Sequence, residues 1–119
     1  MTAARYAEFS KPSPAQAREH ERLAIEKSID RLRRARETGA NSRESAEAIM
    51  YLQALWTYFI EELNSGENEL PPELRASLIS IGIWMLKESD EIRLENSENY
   101  EGLIGVSEII GHALAGSAQ

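Results

Sequence analysis

Apolar residues in this chain recur at spacings of three and four, and polar punctuation divides them into four segments. Ser13 then Pro14 makes a helix start, because the hydroxyl accepts from a free backbone N–H and proline's missing N–H is no loss there. Ile25, Ile29, Leu32 and Ala35 follow on one face. The pairs Asp30–Arg34 and Arg33–Glu37 stand four apart and support this helix, and Gly39 ends it in a left-handed conformation. Asn41 with Glu44 reads as a capping pair for a second helix, whose stripe is Ile49, Leu52, Trp56, Phe59, Ile60 and Leu63, with Leu55 at the edge. Asn64-Ser65-Gly66 stops it. Leu70-Pro71-Pro72 leads into a third helix from Glu73 to Glu95. Ser97 or Asn99 caps a fourth from Tyr100 to Leu114, with Leu103, Val106, Ile110 and Leu114 facing inward. Gly102, Gly105 and Gly111 each weaken that last helix by roughly 1 kcal/mol relative to alanine.

No segment alternates with period two for long enough to be a strand, and the connections are short. The expected fold is therefore all-α: a single-domain bundle of about four helices, mostly antiparallel, with the third helix central. Residues 1–12 form an N-terminal arm, 13–115 the helical domain and 116–119 a frayed tail.

The third helix has more apolar surface than one face can use. Leu74, Leu78, Ile81, Met85 and Ile92 make a first stripe; Ile79, Ile83 and Leu86 make a second, more than a quarter-turn away, and Trp84 lies off both. Burying a large aliphatic side chain is worth about 1.5–3 kcal/mol, so three left in water forfeit about 5–9. Two arrangements accommodate the second stripe. Either this helix is buried on both sides by its own chain, or part of it lines a surface that accepts an apolar helix from a partner. Tyr51 and Tyr58, seven apart on the otherwise polar side of helix two, add candidate contacts to the second arrangement.

Charge is unevenly spread within a net −7: residues 1–43 carry 10 Lys and Arg against 6 Asp and Glu, and residues 44–119 carry 3 against 14. So acidic a second half is a poor general binder of phosphate backbones. The one basic cluster, Arg31, Arg33, Arg34 and Arg36, spreads around its helix instead of forming one blade. With no cysteine, neither a disulfide nor a thiolate metal site can form. His20 and His112 belong to no ligand pair, although His112 follows Glu108 by four, so no metal or other cofactor is expected. Glu61-Glu62, Asp90-Glu91 and Glu19/Glu21 read as solvated faces, and no serine has a recognisable base partner. No nucleotide-binding or hydrolase motif is present, and an enzyme is not expected. No apolar run is long enough for a membrane span, and Met1 to Lys11 lacks the pattern of a secretory signal, which makes the cytoplasm the expected location.

Leu55-Trp56-Thr57, Leu70-Pro-Pro-Glu-Leu-Arg-Ala76, Leu78-Ile-Ser-Ile-Gly82 with Trp84, and Leu103-Ile104 followed by Ile109-Ile110 and Leu114 stand in an order that resembles the FlaF family of flagellar biosynthesis proteins. Tyr6 and the proline-entered first helix also fit. The resemblance covers essentially the whole chain. It implies control of flagellin: binding newly made flagellin through its terminal amphipathic helices as an export chaperone, and regulating flagellin synthesis and filament assembly, beside a companion regulator, FlbT. The family's landmarks fall on Leu55, Trp56, Leu70, Pro71, Leu74, Arg75 and Ile81, as fold-holding or partner-touching positions. Two other readings stand beside the chaperone. One is a post-transcriptional regulator acting with FlbT that touches flagellin mRNA through Arg31–Arg36. The other is a homodimeric adaptor in which Ile79, Ile83 and Leu86 meet their own copies.

Overall fold

The computed structural model describes residues 13–117. It contains four helices: α1 (Pro14–Thr38), α2 (Arg43–Asn64), α3 (Pro72–Arg93) and α4 (Tyr100–Ser117). Residues 1–12, read as an arm, lie outside the described residues, as do residues 118 and 119 of the expected tail. The helix start at Ser13 forms as a full capping box: the Ser13 hydroxyl accepts from Gln16 N, and the Gln16 side chain accepts from Ser13 N. Gly39 stops α1 with φ +94°, and its N–H donates to Ala35 O. The α2 cap is Ser42, not Asn41; its hydroxyl accepts from Ser45 N while donating to Gly39 O. Asn99 caps α4, accepting from Gly102 N, and its own N–H donates to Ser97 Oγ. That helix runs three residues past Leu114.

Packing follows the order α4–α1–α2–α3, with neighbours antiparallel. Gln53 reaches Ser89 and Trp56 and Ile60 meet Gly82 across α2–α3; Glu101 meets Arg36 and Glu108 meets Arg33 across α4–α1. The third helix is therefore not central. It packs on α2 and barely touches α4, while α1 and α2 each have two helical neighbours. The sequence spreads apolar residues over more than one face of α3, but the number of neighbours depends on where the connections lead, and the chain places α3 at an edge.

Burial is graded along the two edge helices. Gly82, Met85, Ser89 and Ile92 are buried in the second half of α3, and Tyr100, Leu103, Ile104 and Ser107 in the first half of α4. No residue of 72–81 or 108–115 is fully buried. The ends joined by the 94–99 connection are therefore sealed, and the opposite ends are half open. Small residues allow the sealed end to close: Ala35, Ser45 and Ala48 are fully buried there, and Ser45 Oγ lies 2.7 Å from Tyr100 OH. The core lies along α1 (Ile25, Ile29, Leu32) and α2 (Ile49, Leu52, Trp56, Phe59).

Gly82 sets the α2–α3 distance. A Cβ there would stand 2.9 Å from Ile60 Cγ1 and 3.2 Å from Trp56 Cε3, closer than packed carbons rest. At Gly105 nothing lies within 4 Å of an added Cβ. Gly105→Ala should therefore raise the unfolding free energy by about 0.5–1 kcal/mol in urea titrations, through helix propensity alone. A loss would mean that α4 needs its flexibility to fold.

Candidate interaction surface

The α3 helix turns one side to α2 and leaves two flanks. Met85 and Ile92 of the first stripe are sealed, Leu78 and Ile81 are half-buried, and Leu74 is exposed. On the second stripe, Leu86 packs against the core, Ile79 is half-buried and Ile83 stays open. The surplus apolar surface is therefore only partly covered by the chain itself. From residue 70 to 84, four large apolar side chains remain in solvent: Leu70 at 39%, Leu74 at 44%, Ile83 at 45% and Trp84 at 37% exposure. The other exposed large apolar residues, among them Leu23, Met50, Leu94 and Ile109, are scattered over the remaining elements. Such scattered residues are ordinary, whereas four within fifteen positions leave α3 apolar on two sides, with Leu74 and Ile83, nine residues apart, on opposite flanks.

The family landmarks divide in two. Trp56 and Ile81 belong to the core, with Leu55 packed at its edge, whereas Leu70, Pro71 and Leu74 form an exposed helix entrance. Pro71 is the residue preceding α3 and offers no side-chain cap. Arg75 is half-buried, and its Nε has no hydrogen-bond partner among the described residues.

The two tyrosines do not join this surface. Tyr51 sits on the α1 side of α2, with Arg31 Cζ 5.0 Å and Lys27 Nζ 5.6 Å from its ring centre, a cation–π arrangement that ties α2 to α1. Tyr58 interacts with Glu21 of α1. Trp56 and Ile60, which meet Gly82, point the other way. A seven-residue spacing correctly put both tyrosines on one helix face, but that face belongs to the α1–α2 seam.

Glu21 is also not a solvated carboxylate. Burial raises its pKa, opposed by the Tyr58 hydroxyl, with nearby Glu62 raising it further and Arg18 lowering it. Burial and the neighbouring carboxylates raise the Tyr58 pKa in turn. Because the folded chain holds the Glu21 proton more tightly than the unfolded one, this contribution to stability is present below the ordinary carboxylate pKa and lost as pH rises through the folded value. Glu21→Gln should therefore be more stable than the parent at pH 7, and the gain should vanish near pH 4 in paired denaturant titrations. A gain unchanged between the two pH values would rule out the burial of charge as its cause.

The basic cluster on α1 is largely occupied. Arg31 lies over Tyr51, Arg33 pairs with Asp30 at 3.7 Å and Glu108 at 3.5 Å, and Arg36 pairs with Glu101. Arg33 thus turns to α4 instead of Glu37, which leaves little of this segment for a phosphate backbone. Among the described residues no group of three or more acidic, histidine or cysteine side chains is placed to hold a metal ion, and no helix is long and apolar enough to cross a membrane. An open polar depression of about 590 Å³ lies at the sealed end between residues 38–41 and 95–98. It contains neither a histidine nor a cation.

Four carboxylates accompany the exposed α3 entrance. Glu61, which the sequence places on a solvated face, and Glu67, Glu69 and Glu73, which helix faces do not single out, are all exposed, and Arg75 is the only cation between residues 61 and 86. Among the described residues none of the four takes part in an ion pair. The signal was visible as a charge run across a helix boundary, where helical periodicity does not look.

Compared with known families, the chain matches the model described as flagellar protein FlaF over residues 2–114. No curated protein and no solved structure matches it.

Proposed function

The chain belongs to the FlaF family of flagellar proteins, and from that premise we propose that it binds newly made flagellin in the cytoplasm as an export chaperone, and through that binding regulates flagellin synthesis and filament assembly. The observation that carries the binding step is the open apolar segment Leu70–Trp84 on an edge helix. Flagellin's terminal segments are amphipathic helices whose apolar faces lack partners until they enter the filament. A helix laid along one open flank of α3 covers that flank and its own apolar face at once. The client must later be surrendered to the export machinery, so the contact has to be reversible. A half-open surface suits this better than a sealed cleft, because a complete burial of four large side chains would hold the client too tightly. The regulatory step follows by competition: protein occupied by flagellin is withdrawn from any second partner, FlbT being the one the family suggests.

Isothermal calorimetry with purified monomeric flagellin tests the reading. Saturable binding at micromolar concentration is expected, and heats indistinguishable from dilution at tens of micromolar would remove it.

A further inference from the structure

We infer that the partner segment docked at the α3 entrance is an amphipathic helix whose apolar stripe is flanked by lysine or arginine. This rests on the reading of α3 as the client surface and adds the chemistry of the client. Leu70 and Leu74 lie among carboxylates in the chain: Glu61 stands near the end of α2, Glu67 and Glu69 in the connection, and Glu73 opens α3. All four are exposed and none is ion-paired among the described residues. Elsewhere among the described residues about half of the carboxylates form ion pairs, as Glu19 and Glu26 do with Arg22, Glu47 with Arg43 and Asp90 with Arg93, whereas here none does. Stability does not ask for this bare cluster. Glu73 suits the helix N-terminus, whereas Glu61 stands in the last turn of α2, where the helix dipole disfavours negative charge.

Two consequences follow from placing unpaired carboxylates around exposed leucines. A partner with an apolar stripe and acidic flanks is repelled within a Debye length, about 8 Å at physiological salt, whereas one with basic flanks is drawn in. The same charges oppose self-association through this face, because a twofold contact would set each cluster against its own copy. Apolar contact then supplies affinity, and charge supplies partner choice and association rate.

The test uses the full chain and two synthetic helical peptides that share one apolar stripe, flanked by lysine in one and glutamate in the other. The lysine peptide should bind at least ~10-fold more tightly at low salt, and that advantage should shrink as salt rises. The triple variant Glu67→Gln, Glu69→Gln, Glu73→Gln should weaken the lysine peptide by ~10-fold while leaving the circular dichroism spectrum unchanged, as expected for three exposed charge contacts. Equal binding of the two peptides, binding of neither, or indifference to the triple variant overturns the inference. So does lysine-peptide binding that appears only after residues 1–12 are deleted, which would make the arm the occupant, or a dimer that the peptide fails to disperse. Flagellin separates this inference from the wider reading. If flagellin binds the triple variant as tightly as the parent, basic recognition falls and flagellin binding stands. If the lysine peptide binds and flagellin does not, the opposite holds.

Discussion

Trp56→Ala should remove about 3–5 kcal/mol of stability, a large part of the roughly 5–15 kcal/mol available to a domain of this size. The indole is 3% exposed and meets Phe59 edge to face at 5.4 Å, and it packs against Gly82 of α3. Truncation therefore opens a cavity at a contact that holds the edge helix. Gly82 has no side chain that could move into that cavity. Trp84→Ala is the internal contrast, since its indole already stands 37% exposed, and it should shift the midpoint by less than about 1 kcal/mol. Urea titrations followed by far-ultraviolet circular dichroism measure both variants on one scale. Equal losses would mean that the two tryptophans are not partitioned between core and surface as described.

Much of this division is legible in the sequence. The α1 stripe of Ile25, Ile29, Leu32 and Ala35 is buried to the last residue, because α1 lies between two helices and a simple amphipathic face suffices. The α2 stripe is equally faithful, with only Leu55 and Ile60 half-covered. What periodicity could not supply was the number of neighbours each face would find. It counted the α3 apolar residues correctly and concluded that something must cover them, but Leu86 is covered by the core and Ile83 is not. It also missed the buried small residues Ser45, Ala48, Gly82, Ser89 and Ser107, whose role is to permit approach, not to contribute apolar area. Of the candidate surface, Ile83 and Trp84 were found by surplus hydrophobicity. Tyr51 and Tyr58 were drawn to it by spacing, though their partners are Arg31, Lys27 and Glu21 on α1.

The second large effect belongs to the surface. Ile83→Asp should weaken flagellin binding by more than ~30-fold while costing no more than about 1–1.5 kcal/mol of stability. The two numbers come apart because Ile83 is 45% exposed in the free chain. Folding has already accepted its partial hydration, so an aspartate there can keep its carboxylate in water. In a complex the same carboxylate would be buried against a client's apolar stripe. Met50 provides the control: it is 70% exposed on α2, outside the segment from Leu70 to Trp84, so Met50→Asp should leave both binding and stability nearly unchanged. Calorimetry against flagellin, with thermal melts of each variant, gives both quantities from the same preparations. Binding by Ile83→Asp equal to that of the parent would mean that α3's open flank is not where flagellin docks. A parallel collapse of stability would mean that Ile83 holds the edge helix in place instead of receiving a client.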